Sequence, residues 1–163
     1  MKATDPDAAY SLQVCRDLRA ADHGMIQQRD TYFHVPHGGL KLREESPGRP
    51  HLIQFERPDR PEQRQSSYRI AEVDNGTALR ATLEAALGVR GVVEKRRHLF
   101  LWRGVRIHLD QVNGIGCFIE LEAVAPTESD LSREHRLVTE LRAAFAITDE
   151  RLSASGYASQ LQI

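Results

Sequence analysis

The stretch Val105-Arg106-Ile107-His108-Leu109-Asp110, with Ile119-Glu120-Leu121-Glu122-Ala123 beyond the Asn113-Gly114 turn, decides the fold class. Ionisable and aliphatic residues alternate strictly, and successive strand side chains point to opposite faces. Arg106, His108 and Asp110 therefore oppose three aliphatics, while Glu120 and Glu122 oppose Ile119 and Leu121. Asn113-Gly114 is a tight hairpin signal, so strands Val105–Val112 and Cys117–Ala125 pair antiparallel.

Upstream, Arg103-Gly104 makes a second hairpin that joins Gly91–Trp102 to the strand at Val105. Four more segments have period two: Gln28–Val35, Gly39–Glu45, Leu52–Arg57 and Ser67–Val73. Lys41, Arg43 and Glu45 share one face of their segment, and Leu40 and Leu42 share the other. Lys95 and Arg97 likewise share a face. Helical spacing is predicted from Asp7 to about Ala21, with Tyr10, Val14, Leu18 and Ala21 on one side and Asp5 or Asp7 as cap. A second helix runs from Ala78 to Leu87 and ends at Gly88, and a third follows Pro126 and carries Leu131, Val138, Leu141 and Phe145. A short helix and tail close the chain. Hairpin-linked strands between helices read as an α+β fold with an antiparallel sheet.

A length of 163 residues predicts one domain, with its core over 2–125 and a helical segment over 128–163. An apolar fraction of 40% and a charged fraction of 28% describe a globular chain. A net charge of -1 argues against partners held by bulk positive charge, so neither nucleic acid nor membrane is expected. Cys15 and Cys117 form no disulfide framework, and no secretory leader or spanning apolar run is visible, so a cytoplasmic setting is expected. The histidines have no zinc-site spacing; His34 and His37 read as surface residues and His108 as a neutral spacer. Gly114-Ile115-Gly116 lacks the βαβ setting of a dinucleotide site.

A charged face on one antiparallel strand is ordinarily a solvated face. Here, however, the charges segregate. Lys41, Arg43, Arg57, Lys95, Arg97 and Arg106 form a cationic set, and Asp110, Glu120 and Glu122 form an anionic set late in the sheet. Arg forks and Lys point charges suit phosphate oxygens, and carboxylates suit hard divalent cations. The pattern alone leaves two readings open, a solvated sheet face and a site for a metal-bound polyphosphate.

Seven stretches, in order and in register, bear on that choice. They are Gln28-Arg29-Asp30-Thr31-Tyr32-Phe33, Leu40-Lys41-Leu42-Arg43-Glu44, Leu52-Ile53-Gln54-Phe55-Glu56-Arg57, Ser67-Tyr68-Arg69, Val93-Glu94-Lys95-Arg96-Arg97, Val105-Arg106-Ile107-His108-Leu109-Asp110 and Phe118-Ile119-Glu120-Leu121-Glu122. In these the chain resembles the CYTH family of class IV adenylate cyclases and thiamine triphosphatases, the triphosphate tunnel metalloenzymes. The resemblance implies an antiparallel eight-stranded tunnel barrel with helices packed outside. It also implies that Lys41, Arg43, Arg57, Lys95, Arg97 and Arg106 grip a triphosphate and act in catalysis, with Lys2 and Arg69 as further substrate contacts. Asp110, Glu120 and Glu122 would hold Mg²⁺ or Mn²⁺. One departure stands out. The family's first strand carries Glu-x-Glu-x-Lys, and here Lys2 stands where the motif lysine belongs, so the two glutamates would precede Met1. A truncated first strand and a thinner metal shell are expected.

The resemblance implies a metal-dependent enzyme like a class IV adenylate cyclase, converting ATP to cyclic AMP and pyrophosphate. The first alternative is hydrolysis of inorganic, thiamine or nucleoside triphosphate. The second is a phosphate- or nucleotide-binding module without catalysis. The partner in each case is a small triphosphate, and a homodimer is compatible with all three. Removing Arg43 or Arg97 is expected to relieve like-charge repulsion in the empty site.

Overall fold

Two side-chain caps start the first two helices. Asp7 accepts the Tyr10 backbone N–H at 2.9 Å and begins α1 (Ala8–Asp17); Asn75 accepts that of Ala78 at 2.9 Å and begins α2 (Gly76–Leu87). The computed structural model describes residues 1–56, 67–125 and 129–163. Its strands are β1 (Lys2–Thr4), β2 (Ala21–Phe33), β3 (Gly39–Ser46), β4 (His51–Glu56), β5 (Ser67–Glu72), β6 (Val89–Trp102), β7 (Val105–Val112) and β8 (Gly116–Ala123). Two more helices follow, α3 (Ser132–Ala144) and α4 (Tyr157–Gln160).

The eight strands form one antiparallel sheet in the order β1-β8-β7-β6-β2-β3-β4-β5. The α+β class and the strand number are therefore as expected. The order is linear, with β1 and β5 at its ends, so hydrogen bonds among the described residues do not close it into a barrel. The first strand is short, and its three residues pair with β8.

α1 ends earlier than its apolar spacing predicts. The chain turns at Arg19, whose φ is 52°, and the Ala20 N–H returns to the Cys15 carbonyl at 3.0 Å. Leu18 still packs against the core from this turn, which is why the helical stripe reads on past the true end. β2 accordingly begins at Ala21, well before Gln28.

The chain groups into two compact units. One comprises Met1–Met25, Arg97–Val112 and Gly116–Ser153; the other comprises Ile26–Arg96, Asn113–Ile115 and Ala154–Ile163.

In the first unit the alternation on β7 and β8 divides packing from charge. Ile107 stands opposite Leu121, and Leu109 opposite Ile119. That face packs with Val14 and Cys15 of α1 and with Leu137 and Leu141 of α3, plus Phe145 just beyond it. Each such side chain, fully buried, contributes about 1.5–3 kcal/mol. The other face carries Arg106, His108 and Asp110 opposite Glu122, Glu120 and Phe118.

In the second unit β3 is the dividing strand. Leu42 is completely buried on one face, where Glu44 also receives Arg80 of α2 at 2.7 Å. Lys41, Arg43 and Glu45 occupy the opposite face, as the alternation predicts.

Candidate functional site

Two charged clusters stand on these polar faces, one in each unit. In the second unit β2 and β3 set Asp30 directly opposite Arg43, Tyr32 opposite Lys41 and Gln28 opposite Glu45. Arg43 forks onto Asp30, with Nε on Oδ1 and Nη2 on Oδ2, both at 2.7 Å. Lys41 Nζ donates to Asp30 Oδ2, also at 2.7 Å. Asp30 is buried. Burial alone would raise its carboxyl, but Lys41 and Arg43 outweigh that and hold it well below the usual carboxylate range. Burial above all, with Arg43 and Lys95 beside it, draws the Lys41 ammonium down to about 8 against the pull of Asp30. One carboxylate thus stands beneath two cations, with Lys95 acting on the same field.

Lys95 is buried on β6, and its Nζ lies 4.8 Å from the centre of the Tyr157 ring of α4. Gly91 lies on the same face of β6, and a Cβ there would come within 2.4 Å of Ile163. The absent side chain lets the segment after α4 lie against that strand.

In the first unit Arg97 is the hub. Its Nε and Nη2 bind the two carboxylate oxygens of Asp110 at 2.7 Å each, and Nη2 also reaches Glu120 Oε2 at 2.8 Å. His108 Nδ1 lies 3.5 Å from the same Glu120 oxygen. Burial lowers the His108 pKa, Arg97 adds to the effect and the Glu120 hydrogen bond opposes it, so the ring is neutral at pH 7. Arg106 reaches Glu122 at 3.3 Å in an exposed position. Lys2 of β1 stands opposite Glu120.

Most of the expected site residues fall into these clusters. Lys41, Arg43 and Lys95 belong to the second unit; Lys2, Arg97, Arg106, Asp110, Glu120 and Glu122 belong to the first. Arg69 does not join them. It pairs with Gln54 and lies on the Leu40–Leu42 face of its sheet, exposed, opposite to the Lys41–Arg43 face. Arg57 lies outside the described residues. Asp30 has no role that alternation within its own strand assigns. Its signal was parity: Asp30 alternates with Gln28 and Tyr32 toward the cationic face of β3.

The fit of a divalent cation is narrow. Among the described residues no group of three or more His, Cys, Asp or Glu gathers as a metal cage. Asp110, expected as a ligand, has both oxygens on Arg97. Glu120 and Glu122 are half-exposed carboxylates on one strand face. Mg²⁺ commonly takes one or two carboxylates and completes its shell with water and phosphate oxygens. That donor pair suits a cation delivered on a phosphate chain.

The model of the CYTH domain matches residues 1–152. The chain belongs to the CYTH family. The CYTH match runs across both units. A comparison with curated proteins gives no match. Among solved structures, PH1012 of Pyrococcus horikoshii OT3 has a TM-score of 0.83 at 20% identity, over 98% of this chain and 97% of that one. A provisionally named adenylate cyclase of Vibrio parahaemolyticus has a TM-score of 0.82 at 20% identity, over 100% and 96%. The Hippeastrum protein HpAC1, described as having a dominant triphosphatase activity, has a TM-score of 0.69 at 14% identity, over 99% and 94%. At these identities the likeness is one of fold.

Proposed function

We propose that this CYTH protein is an enzyme acting on a triphosphate, with Lys41, Arg43 and Lys95 holding phosphate oxygens. The observation that carries the reading is the Lys41–Asp30–Arg43 arrangement. Two cations are locked in place by the buried Asp30 carboxylate, with Glu45 at 3.9 Å from Arg43, which leaves them preorganised. Fixed donors of that kind neutralise charge on phosphate oxygens without reorganising during the reaction. Within the first unit, Glu120 and Glu122 would hold Mg²⁺ or Mn²⁺, and Asp110 would hold Arg97. Such a cation supplies charge neutralisation at the phosphates.

The first reading of the reaction is cyclisation. The ATP 3′-oxygen bonds to the α-phosphorus, the bond from that phosphorus to its bridging oxygen breaks, pyrophosphate leaves, and the hydroxyl proton passes to solvent. Its support is the resemblance to class IV adenylate cyclases. The second reading is hydrolysis, which the description of HpAC1 favours. A cytoplasmic setting accords with two free cysteines. Among the described residues no helix is long and apolar enough to cross a membrane.

The test is a panel of ATP, thiamine triphosphate and inorganic triphosphate with Mg²⁺ and with Mn²⁺, scoring cyclic AMP against released phosphate. Cyclic AMP supports the first reading and phosphate alone supports the second. Tight binding without either product leaves a phosphate-binding module.

A further inference from the structure

In the cationic cluster of the second unit a carboxylate meets Lys41 and an aromatic ring meets Lys95. Lys41 donates to Asp30 at 2.7 Å. Lys95 lies against the Tyr157 ring, with Nζ 4.8 Å from its centre. Lys95 and Tyr157 are both buried, at 5% and 8% exposure. A cation is attracted to the negative face of a ring, and the attraction grows as water is excluded.

Tyr157 reaches that place because the segment that follows it is seated on β6. The Leu161 and Ile163 N–H groups return to the Tyr157 and Ala158 carbonyls, each at 3.0 Å, and coil the segment. Ile163 lies where Gly91 has no side chain, since a Cβ there would come within 2.4 Å of it. Leu161 lies 3.2 Å from the place of a Cβ on Gly114. Gly91 and Lys95 share a face of β6, so the seat of the segment and the covered ammonium lie along one strand. A carboxylate cancels the charge it holds. A ring carries no net charge, so it fixes an ammonium and leaves the full charge for an anion.

We propose that Tyr157 is a positioning residue for triphosphate binding: its ring fixes the Lys95 ammonium and leaves its charge for phosphate oxygens. The inference rests on the phosphate-binding role given above to Lys95. Loss of the ring should weaken triphosphate binding about three- to thirtyfold, the range of a cation–ring attraction out of water. A packing role predicts no such loss while the apolar bulk is kept.

The experiment is calorimetric titration of the whole chain with ATP in Mg²⁺, for wild type, Tyr157→Leu, Tyr157→Phe and Lys95→Met, with a thermal melt of each. Tyr157→Leu keeps apolar bulk without a ring and should bind at least threefold more weakly. Tyr157→Phe keeps the ring and should recover most of that loss. A series of phenylalanines with one, two and three ring fluorines at position 157 completes the test. Fluorine drains the negative face with little change of shape, so affinity should fall stepwise along the series. The series also decides the matter if Tyr157→Leu does not fold. Wild-type affinity in a folded Tyr157→Leu, or a level fluorine series, overturns the positioning role and leaves the phosphate role standing. If Lys95→Met binds ATP as wild type does, or wild type binds none, the phosphate role of Lys95 falls and the role of Tyr157 falls with it.

Discussion

Asp30 and Arg43 face each other across β2 and β3 in a two-bond fork, and Lys41 closes on the same carboxylate. The pairing reverses the expectation that deleting a cation relieves the empty site. Arg43→Ala leaves Asp30, whose side chain is 5% exposed, with half its partners. Breaking a buried ion pair from one side costs about 3 kcal/mol or more. For a chain of this size that is a fall in melting temperature of about 6–12 °C. A thermal melt of Arg43→Ala at or above wild type would show that repulsion governs instead.

Asp30→Asn removes the shared counter-charge. The variant should lose stability when empty, and added triphosphate should restore more of it than it adds to wild type, because the ligand supplies the missing negative charge. Paired melting curves with and without triphosphate check this. An equal ligand-induced rise in both proteins contradicts it.

Lys41 should write a pH dependence into both stability and binding. In the folded chain it titrates near 8, against an ordinary lysine value of 10.5. Across pH 8 to 10.5 the unfolded chain therefore holds the extra proton, and stability rises with pH in that window. Triphosphate affinity falls over the same window, as the ammonium becomes neutral. Among the described residues, Asp30 of β2, Arg43 of β3 and Lys95 of β6 act on its charge. Lys41→Arg should flatten both slopes, which denaturant titrations and binding isotherms at pH 7 and 9.5 would show.

Asp110 and Glu120 should separate under isosteric change. Asp110→Asn loosens the fork on Arg97 and should cost stability, with modest effect on Mn²⁺ affinity in the presence of triphosphate. Glu120→Gln and Glu122→Gln remove charge from the cation's donors and should weaken that affinity by about ten- to a hundredfold, the scale known even for groups one shell further out. Manganese titration by electron paramagnetic resonance reads both. If Asp110→Asn weakens the metal as much as Glu120→Gln does, Asp110 is a ligand.

Much of this site is legible in the sequence because strand parity is a local property. Lys41, Arg43 and Glu45 on one face of β3, and Arg106, His108 and Asp110 on one face of β7, follow from alternation alone. What parity within a strand does not give is register between strands. Asp30 lies in a stretch that matched the family pattern, yet its role appears only once β2 is aligned on β3. Arg69 shows the same limit in reverse, because pairing with Gln54 sends it to the other face. Tyr157 over Lys95 joins residues far apart in the chain, and no periodicity connects them. The early start of β2 is hidden because Leu18, in the turn, and Ala21, the first residue of β2, continue a helical stripe.

The central claim is that the Lys41–Arg43 pair binds a triphosphate chain, and isothermal titration of wild type and Arg43→Lys with ATP in Mg²⁺ tests it most directly. Lys keeps the charge, so folding is least disturbed, but it lacks the fork. Arg43→Lys is expected to bind ATP about tenfold more weakly or worse, the scale of a lost charge-assisted hydrogen bond of 1.5–3 kcal/mol. Affinity equal to wild type in a folded Arg43→Lys, or no ATP binding by wild type at all, would contradict the account.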